Sequence, residues 1–305
     1  MVIKPIVIVG PTCSGKTKFS ISIAERLSSE IISADSRQTY KYLSIGTAKP
    51  THIETSKVQH HLIDFLEPNI NYNVSKFEKD ALVKILDLLK SGQTPIVVGG
   101  SGLYIKAIVD GIFDTVDTDE EYRKQLMEER EEHGNEYLLE KLKNVDPKSA
   151  KKLISQNWKR IIRALEVYKI TGKPIWQLQQ EYERDVQIEF RQYGLNWERE
   201  TLYENINLRV DKMIDDGLVN EVKSILEMGF ETNINALNTV GYKEIIEYLN
   251  EKISLERAIE LIKRNTRHYA KRQLTWFRKD ERIQWFDVKS TRDFAEIVED
   301  VVKKS

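Results

Sequence analysis

The chain has 305 residues, 40% of them apolar and 31% charged, with a formal net charge of −1. That length suits one large α/β domain or two domains, and the near-neutral balance excludes bulk non-specific binding to polyanions while leaving room for local basic patches. The single cysteine, Cys13, excludes an intramolecular disulfide and a cysteine zinc site; with no apolar stretch near the ~20 residues of a membrane span and no room for a secretory leader before the first strand, a cytoplasmic protein is expected.

Ile6-Val7-Ile8-Val9 reads as a buried strand. It runs into Gly10-Pro11-Thr12-Cys13-Ser14-Gly15-Lys16-Thr17, which fits the phosphate-loop pattern G-x-x-x-x-G-K-[ST] at each fixed position. A helix is predicted from Thr17 to Leu27. In that strand–loop–helix context the backbone N–H groups turn inward and cradle a di- or triphosphate. Lys16 then neutralises phosphate oxygens and the Thr17 hydroxyl holds Mg²⁺. The bland alternative is a tight glycine turn.

Further apolar runs lie at Ile31–Ala34, Leu62–Leu66 and Pro95–Val98. Helices are predicted over Ser75–Leu89 and Leu103–Val109, with Ser75 and Glu78 as a capping box. Such alternation implies a parallel sheet covered on both faces, with ligands beyond the carboxyl ends of its strands. Asp35, in Asp35-Ser36-Arg37-Gln38, falls at one such end. It suits a metal ligand, a general base or a helix N-cap. The run Pro95–Val98 ends in Gly99-Gly100-Ser101-Gly102 and not in an acidic residue. Hydrolysing P-loop enzymes place an Asp there, so the ATPase and GTPase readings weaken. The glycines permit close backbone approach, and Ser101 offers a hydroxyl. The adjacent His60 and His61 face different ways and read as structural.

Near Asp114 the pattern changes. Asp117 to Ile175 reads as helices without a strand, acidic at first and basic from Lys148 onward. An all-helical subdomain over 116–185 is therefore expected, inserted between core segments 1–115 and 186–305. Gly172-Lys173-Pro174 is a helix stop. Val186–Trp197 alternates and returns to the sheet, and from Thr201 the chain is mostly helical, with Thr201 and Glu204 as a second capping box. The fold class is α/β, a P-loop NTPase-like parallel sheet flanked by helices.

Lys263 to Lys279 contains no acidic residue. Arg264, Arg267, His268, Lys271 and Arg272 share one helix face, with Tyr269, Trp276 and Phe277 nearby. Cations for phosphates and flat rings for unpaired bases suit an RNA contact; a solvated basic face with its aromatics in the core is an equal alternative.

These pieces together resemble the bacterial tRNA dimethylallyltransferases (isopentenylpyrophosphate transferases). The resemblance covers nearly the whole chain. It rests on Gly10–Thr17, Asp35–Gln38, Gly46-Thr47-Ala48-Lys49-Pro50, His60–Asp64, Gly99–Tyr104, Arg163-Ala164-Leu165-Glu166-Val167, Val240-Gly241-Tyr242-Lys243-Glu244 and Lys271–Arg278. It implies transfer of a dimethylallyl group from its diphosphate to N6 of adenosine 37, beside the anticodon, in tRNAs reading codons that begin with U. Asp35 would be the base, with Lys16, Thr17, Ser101 and Arg209 around the diphosphate or the reacting centre. The tRNA contacts it implies are Asp35, Ser36, Arg37, Gln38, Ser101, Arg123, Lys159-Arg160-Ile161-Ile162-Arg163, Val240-Gly241-Tyr242-Lys243-Glu244 and Lys271-Arg272-Gln273-Leu274-Thr275-Trp276-Phe277-Arg278. The inserted helices would clamp the anticodon stem-loop. Mg²⁺ is the expected cofactor, tRNA and dimethylallyl diphosphate the expected partners, and a monomer the expected state. The chain departs from the family at Ser101 (commonly Thr), Gln156-Asn157 (Asn-Asp) and Cys13 (Ala), and it shows no zinc-finger tail of the eukaryotic kind. The readings from other classes are a P-loop small-molecule kinase, an adenylate isopentenyltransferase acting on free nucleotide, and a catalytically silent RNA-binding protein.

Overall fold

The structure is a computed structural model describing residues 3–113, 116–184 and 186–304. The expected change of pattern at Asp114, and the boundaries at 115 and 185, lie outside the described residues. The chain divides into two compact units, one of residues 1–110 and 187–305, the other Gly111–Val186.

The first unit is built on a six-stranded sheet. Its strands are β1 (Ile6–Val9), β2 (Ile31–Ser33), β3 (His60–His61), β4 (Ile96–Gly99), β5 (Arg191–Trp197) and β6 (Ile283–Val288), in the order β3-β2-β4-β1-β5-β6. All neighbours are parallel. β1 is apolar at every position because it is covered on both faces. Ile6 and Ile8 enter one core with Ile31, Ile96 and Leu195, while Val7 and Val9 enter the other with Ile32, Val97 and Phe77. The helices of this unit before the insertion are α1 (Lys16–Leu27), α2 (His52–Lys57), α3 (Val74–Lys90) and α4 (Gly102–Asp110).

The second unit is all-helical: α5 (Glu120–His133), α6 (Asn135–Val145), α7 (Pro147–Ala150), α8 (Trp158–Thr171) and α9 (Ile175–Glu181). Leu126, Leu138, Leu142, Ile161 and Leu165 form its core. Gly172 ends α8 in the left-handed region, φ 70°, as the stop signal requires.

The chain then returns to the first unit with α10 (Arg199–Asp215), α11 (Leu218–Glu227), α12 (Tyr242–Leu249), α13 (Leu255–Phe277) and α14 (Phe294–Lys303). Helices α10 to α13 enclose a separate apolar core with Tyr40 and Leu43.

Three local expectations need correction. The run Leu62–Leu66 is not a strand: pairing with β2 stops at His61, and Leu62 and Asp64 take φ of 60° and 55°, which no strand accommodates. Leu66 regains only an isolated bridge to Tyr40. Ser75 does not cap α3; Asn73 does, accepting the Lys76 N–H at 2.9 Å, and Ser75 is buried in the first turn. Nor does Thr201 cap α10, which follows β5 so closely that it begins at Arg199 with Glu198 as its extended N-cap. Helix α2 and strand β6 were not expected at all.

Candidate active site

The carboxyl ends of β1, β2 and β4 converge on one cavity of about 800 Å³. Its floor is the loop Gly10–Gly15, closed by the N-terminus of α1. Cys13 and Gly15 sit at φ of 64° and 79°, the left-handed turns that let successive N–H groups face inward. Lys16 Nζ donates to Pro11 O at 2.7 Å, so its charge stays over the loop. Trp197 Nε1 donates to Ser14 O at 3.0 Å, tying the loop to the end of β5.

Desolvation pulls the Lys16 ammonium down to about 8, Asp35 pushing it back up and Arg209 pulling it down further. A cation so weakly solvated is stabilised by an incoming anion. Arg209, on α10, reaches the same place: its Nη1 donates to Thr12 Oγ1 at 3.0 Å and approaches Cys13 Sγ at 3.5 Å. The Thr17 hydroxyl lines the cavity with no hydrogen-bond partner among the described residues.

Asp35 follows β2 on the opposite wall. Its Oδ1 accepts the N–H groups of Arg37 at 2.8 Å and Gln38 at 3.3 Å, closing a turn where no helix follows. Its Oδ2 has no partner among the described residues and is left for a ligand. Ser101 Oγ accepts the Ser36 N–H at 3.1 Å, which leaves its O–H free to donate. Gly99 is required because a Cβ there would stand 2.1 Å from Ala34 O. Tyr269 leans on this group; burial, then Asp35, raise its hydroxyl to about 12.

A second opening of about 320 Å³ shares Thr12, Cys13, Asp35, Arg209 and Tyr269 with the first, and is further lined by Val240, Gly241, Lys243 and Arg272. Asp35 therefore borders both spaces.

Of the sequence-derived site residues, Lys16, Thr17, Asp35 and Arg209 meet at the main cavity. Gln38 lines it while holding Thr47 O at 3.2 Å and Ala48 O at 3.0 Å. On α13 and its C-cap Arg278, Lys271, Arg272, Thr275, Trp276 and Arg278 are exposed, but Gln273 and Phe277 are buried and Leu274 is half-buried. The aromatics thus divide between Phe277 in the core and Trp276 at the surface.

Several residues in the implied RNA set have buried side chains in this structure. Ile161 and Ile162 are core residues of the helical unit. Tyr242 and Glu244 are buried, the latter accepting the Gly241 N–H at 2.8 Å. In the helical unit Lys159 and Arg160 are exposed, whereas Arg123 and Arg163 both bind the buried Glu166. His60 and His61 are structural in their contacts, with Val58 O and with Glu30 respectively. Gln273 holds the phosphate loop, accepting the Thr12 N–H at 2.8 Å. No local pattern marks it out from the rest of its helix.

A G-x-x-x-x-G-K-T loop and an open carboxylate facing each other across a parallel sheet's carboxyl edge define a P-loop NTPase-like fold. The IPP transferase family model matches residues 38–280. The tRNA dimethylallyltransferase of Thermoanaerobacter sp. is 45% identical over 307 residues, 99% of this chain and 98% of that one. The protein of that name from Acetivibrio thermocellus is 48% identical over 284 residues, 92% and 91% of the two chains. The crystal structure of the full-length tRNA isopentenylpyrophosphate transferase from Bacillus halodurans matches with a TM-score of 0.73 and 39% identity, covering 99% of this chain and 96% of that one. A eukaryotic dimethylallyltransferase acting on tRNA matches with a TM-score of 0.83 and 27% identity, over 99% and 80%. The chain belongs to the IPP transferase family.

Proposed function

We infer that the chain is a tRNA dimethylallyltransferase. It takes the dimethylallyl group from dimethylallyl diphosphate and places it on N6 of adenosine 37 in tRNAs reading codons beginning with U, releasing diphosphate. The observation that carries this is the pairing, across one cavity, of Lys16 and Arg209 at the phosphate loop with the open Oδ2 of Asp35. Gly99-Gly100 closes β4 where a hydrolase would carry an acidic residue.

The chemistry follows from charge. The allylic C–O bond breaks as the N6–C bond forms, and the N6 proton leaves. Negative charge grows on the diphosphate, where the loop N–H groups, Lys16 and Arg209 oppose it. The adenine amine is a weak nucleophile because its lone pair is delocalised, so the proton must be taken up, and Asp35 Oδ2 is the acceptor. The loop grips a leaving group and splits no phosphate bond. Thr17 suits Mg²⁺, which takes few protein ligands and prefers phosphate oxygens and water. Its unpartnered hydroxyl would hold the ion, which when bound adds positive charge against the diphosphate. Among the described residues no cluster of acidic or histidine side chains offers another site.

Anticodon-loop bases are exposed, so drawing the adenine from its stack costs a few kcal/mol at most. The exposed Lys271, Arg272 and Arg278, with Trp276, supply phosphate contacts and a stacking surface; Lys159 and Arg160 do the same for the helical unit, which we read as the grip on the anticodon stem-loop. The protein works in the cytoplasm as a monomer; no helix among the described residues is long and apolar enough to cross a membrane.

Incubating the protein with tRNA and dimethylallyl diphosphate, then analysing the nucleosides by mass spectrometry, tests the reading. N6-dimethylallyl adenosine in tRNA, with free AMP and ATP unmodified, is the expected result. Prenylation of the free nucleotides, or phosphoryl transfer from ATP, overturns it.

A further inference from the structure

Helix α13 spans 23 residues and does different work on its two sides. Outward it shows Arg264, His268, Lys271 and Arg272. Inward, Gln273 is 6% exposed and both ends of its amide are used. Its Oε1 accepts the Thr12 N–H at 2.8 Å, and its Nε2 donates to Gly100 O at 2.9 Å. The amide thus joins the phosphate loop after β1 to the glycine loop after β4. The fit is close: a Cβ on Gly100 would stand 2.2 Å from Gln273 Nε2. One turn on, Trp276 packs as closely over Gly102, so the helix cannot slide here without clashing.

Thr12 is held a second time, because its Oγ1 accepts Arg209 Nη1 at 3.0 Å. Among the described residues the Arg209 guanidinium has no carboxylate partner to orient it, and Thr12 and Cys13 are its polar contacts. Where Thr12 stands decides where that charge stands. We infer that Gln273 is a positioning residue for the diphosphate grip, acting through Thr12 to set the place of Arg209. It lines the cavity, but both ends of its amide are engaged by the two loops. The bond to Gln273 also withdraws the Thr12 N–H from the set that a diphosphate can use, so this amide serves the loop's register. The inference rests on the transferase reading only in taking diphosphate as the anion.

The test is binding of inorganic pyrophosphate by calorimetry, with steady-state kinetics beside it. Gln273→Met keeps the volume and removes both hydrogen bonds. We expect pyrophosphate affinity to fall roughly 5- to 30-fold, the scale of one or two neutral hydrogen bonds. The KM for dimethylallyl diphosphate should rise in step and kcat should fall, since Arg209 must meet charge that grows during reaction. Affinity for an anticodon stem-loop RNA should change less than twofold, roughly the scatter of an unperturbed site. Thr12→Val removes the acceptor of Arg209. If Gln273 acts through Thr12, the double variant loses no more pyrophosphate affinity than the weaker-binding single variant. Additive losses overturn the inference, as does unchanged affinity in Gln273→Met. Should Gln273→Met fail to fold, Gly100→Ala expels the Gln273 amide without altering it and must show the same loss. A wild type that grips pyrophosphate but modifies no tRNA sinks the transferase reading and leaves this inference standing. Wild-type turnover together with an unaffected Gln273→Met sinks this inference alone.

Discussion

The Tyr242 hydroxyl donates to Glu221 at 2.6 Å, and the same carboxylate accepts the backbone N–H groups of Ser44, Ile45 and Gly46. One side chain of α11 therefore fixes the loop whose next residues, Thr47 to Pro50, wall the main cavity. Gly46 lets the loop lie flat on the tyrosine, because a Cβ there would stand 2.4 Å from the ring. Burial, then the Glu221 charge, drive the Tyr242 hydroxyl far above the usual phenol range, so it is a donor at any working pH. The segment Val240–Glu244 is in this respect scaffold, with Lys243 its exposed exception.

Tyr242→Phe should therefore weaken the loop and leave the helix intact. A hydrogen bond to a carboxylate contributes about 1.5–3 kcal/mol, and three amides still satisfy Glu221, so a loss near the lower figure is expected in urea unfolding. The KM for dimethylallyl diphosphate should rise while RNA affinity holds. A drop in RNA affinity alone would return Tyr242 to the RNA-contact set.

Lys16 gives a pH dependence whose sign is fixed. Its ammonium titrates near 8 in the folded chain against 10.5 for the free side chain. The unfolded chain thus holds the extra proton between these values, and stability without ligand should rise with pH across that window. Diphosphate reverses the effect by restoring the charge. Pyrophosphate binding at about pH 9 should then take up close to one proton, read from calorimetry in buffers of different ionisation enthalpy. Lys16→Met should abolish the uptake and weaken binding. Proton uptake that persists in Lys16→Met would assign the titration to another group.

The parts of this site that were legible in the sequence are those carried by local pattern. The phosphate loop is contiguous, and Asp35 and Gly99 follow runs whose burial on both faces makes them apolar throughout. Leu62–Leu66 reads as a strand and is not one, because an apolar run does not reveal positive φ at Leu62 and Asp64. β6 is not legible because it is a half-exposed edge strand in which Phe286-Asp287 breaks the alternation that Ile283-Gln284-Trp285 begins. Arg209 came from the family resemblance alone. Gln273 and Thr12 lie 261 residues apart, and nothing in either neighbourhood announces the other. Burial also decides which members of a motif work outward, and Ile161 and Ile162 stand beside Arg160 with the opposite role.

Asp35→Asn retains an acceptor oxygen for the Arg37 and Gln38 amides, so the turn should persist. It cannot take a proton. Turnover under single-turnover conditions should fall about 10²- to 10⁴-fold, with RNA and pyrophosphate affinities within a fewfold of wild type. Retained turnover would move the base elsewhere.

Lys271→Ala with Arg272→Ala tests the outer face of α13. Each lost phosphate contact removes about 0.7–0.9 from the slope of log affinity against log salt, so the pair should flatten it by about 1.4 to 1.8. Pyrophosphate binding should change far less than RNA binding, since Arg272 lines only the second opening. An unchanged salt slope would mean that RNA does not lie along this face.

The helical unit offers a different kind of test, since its charge is buried. Glu166 is fully buried and accepts Arg123 Nε at 2.7 Å, Arg163 Nη1 at 2.5 Å and the Asp119 N–H at 2.9 Å. Removing Glu166 leaves the two arginines without their anion, but they are 36% and 22% exposed and water recovers part of the loss, so the cost falls below that of a fully buried pair, at about 1.5–3 kcal/mol. Glu166→Ala should therefore lower hydrogen-exchange protection across 111–186 by that amount while the sheet unit keeps its own. Anticodon stem-loop affinity should fall with it, because Lys159 and Arg160 ride on the same helix, and pyrophosphate binding should be untouched. Full protection in Glu166→Ala would show that the two arginines need no anion between them, and would return both to the RNA-contact set.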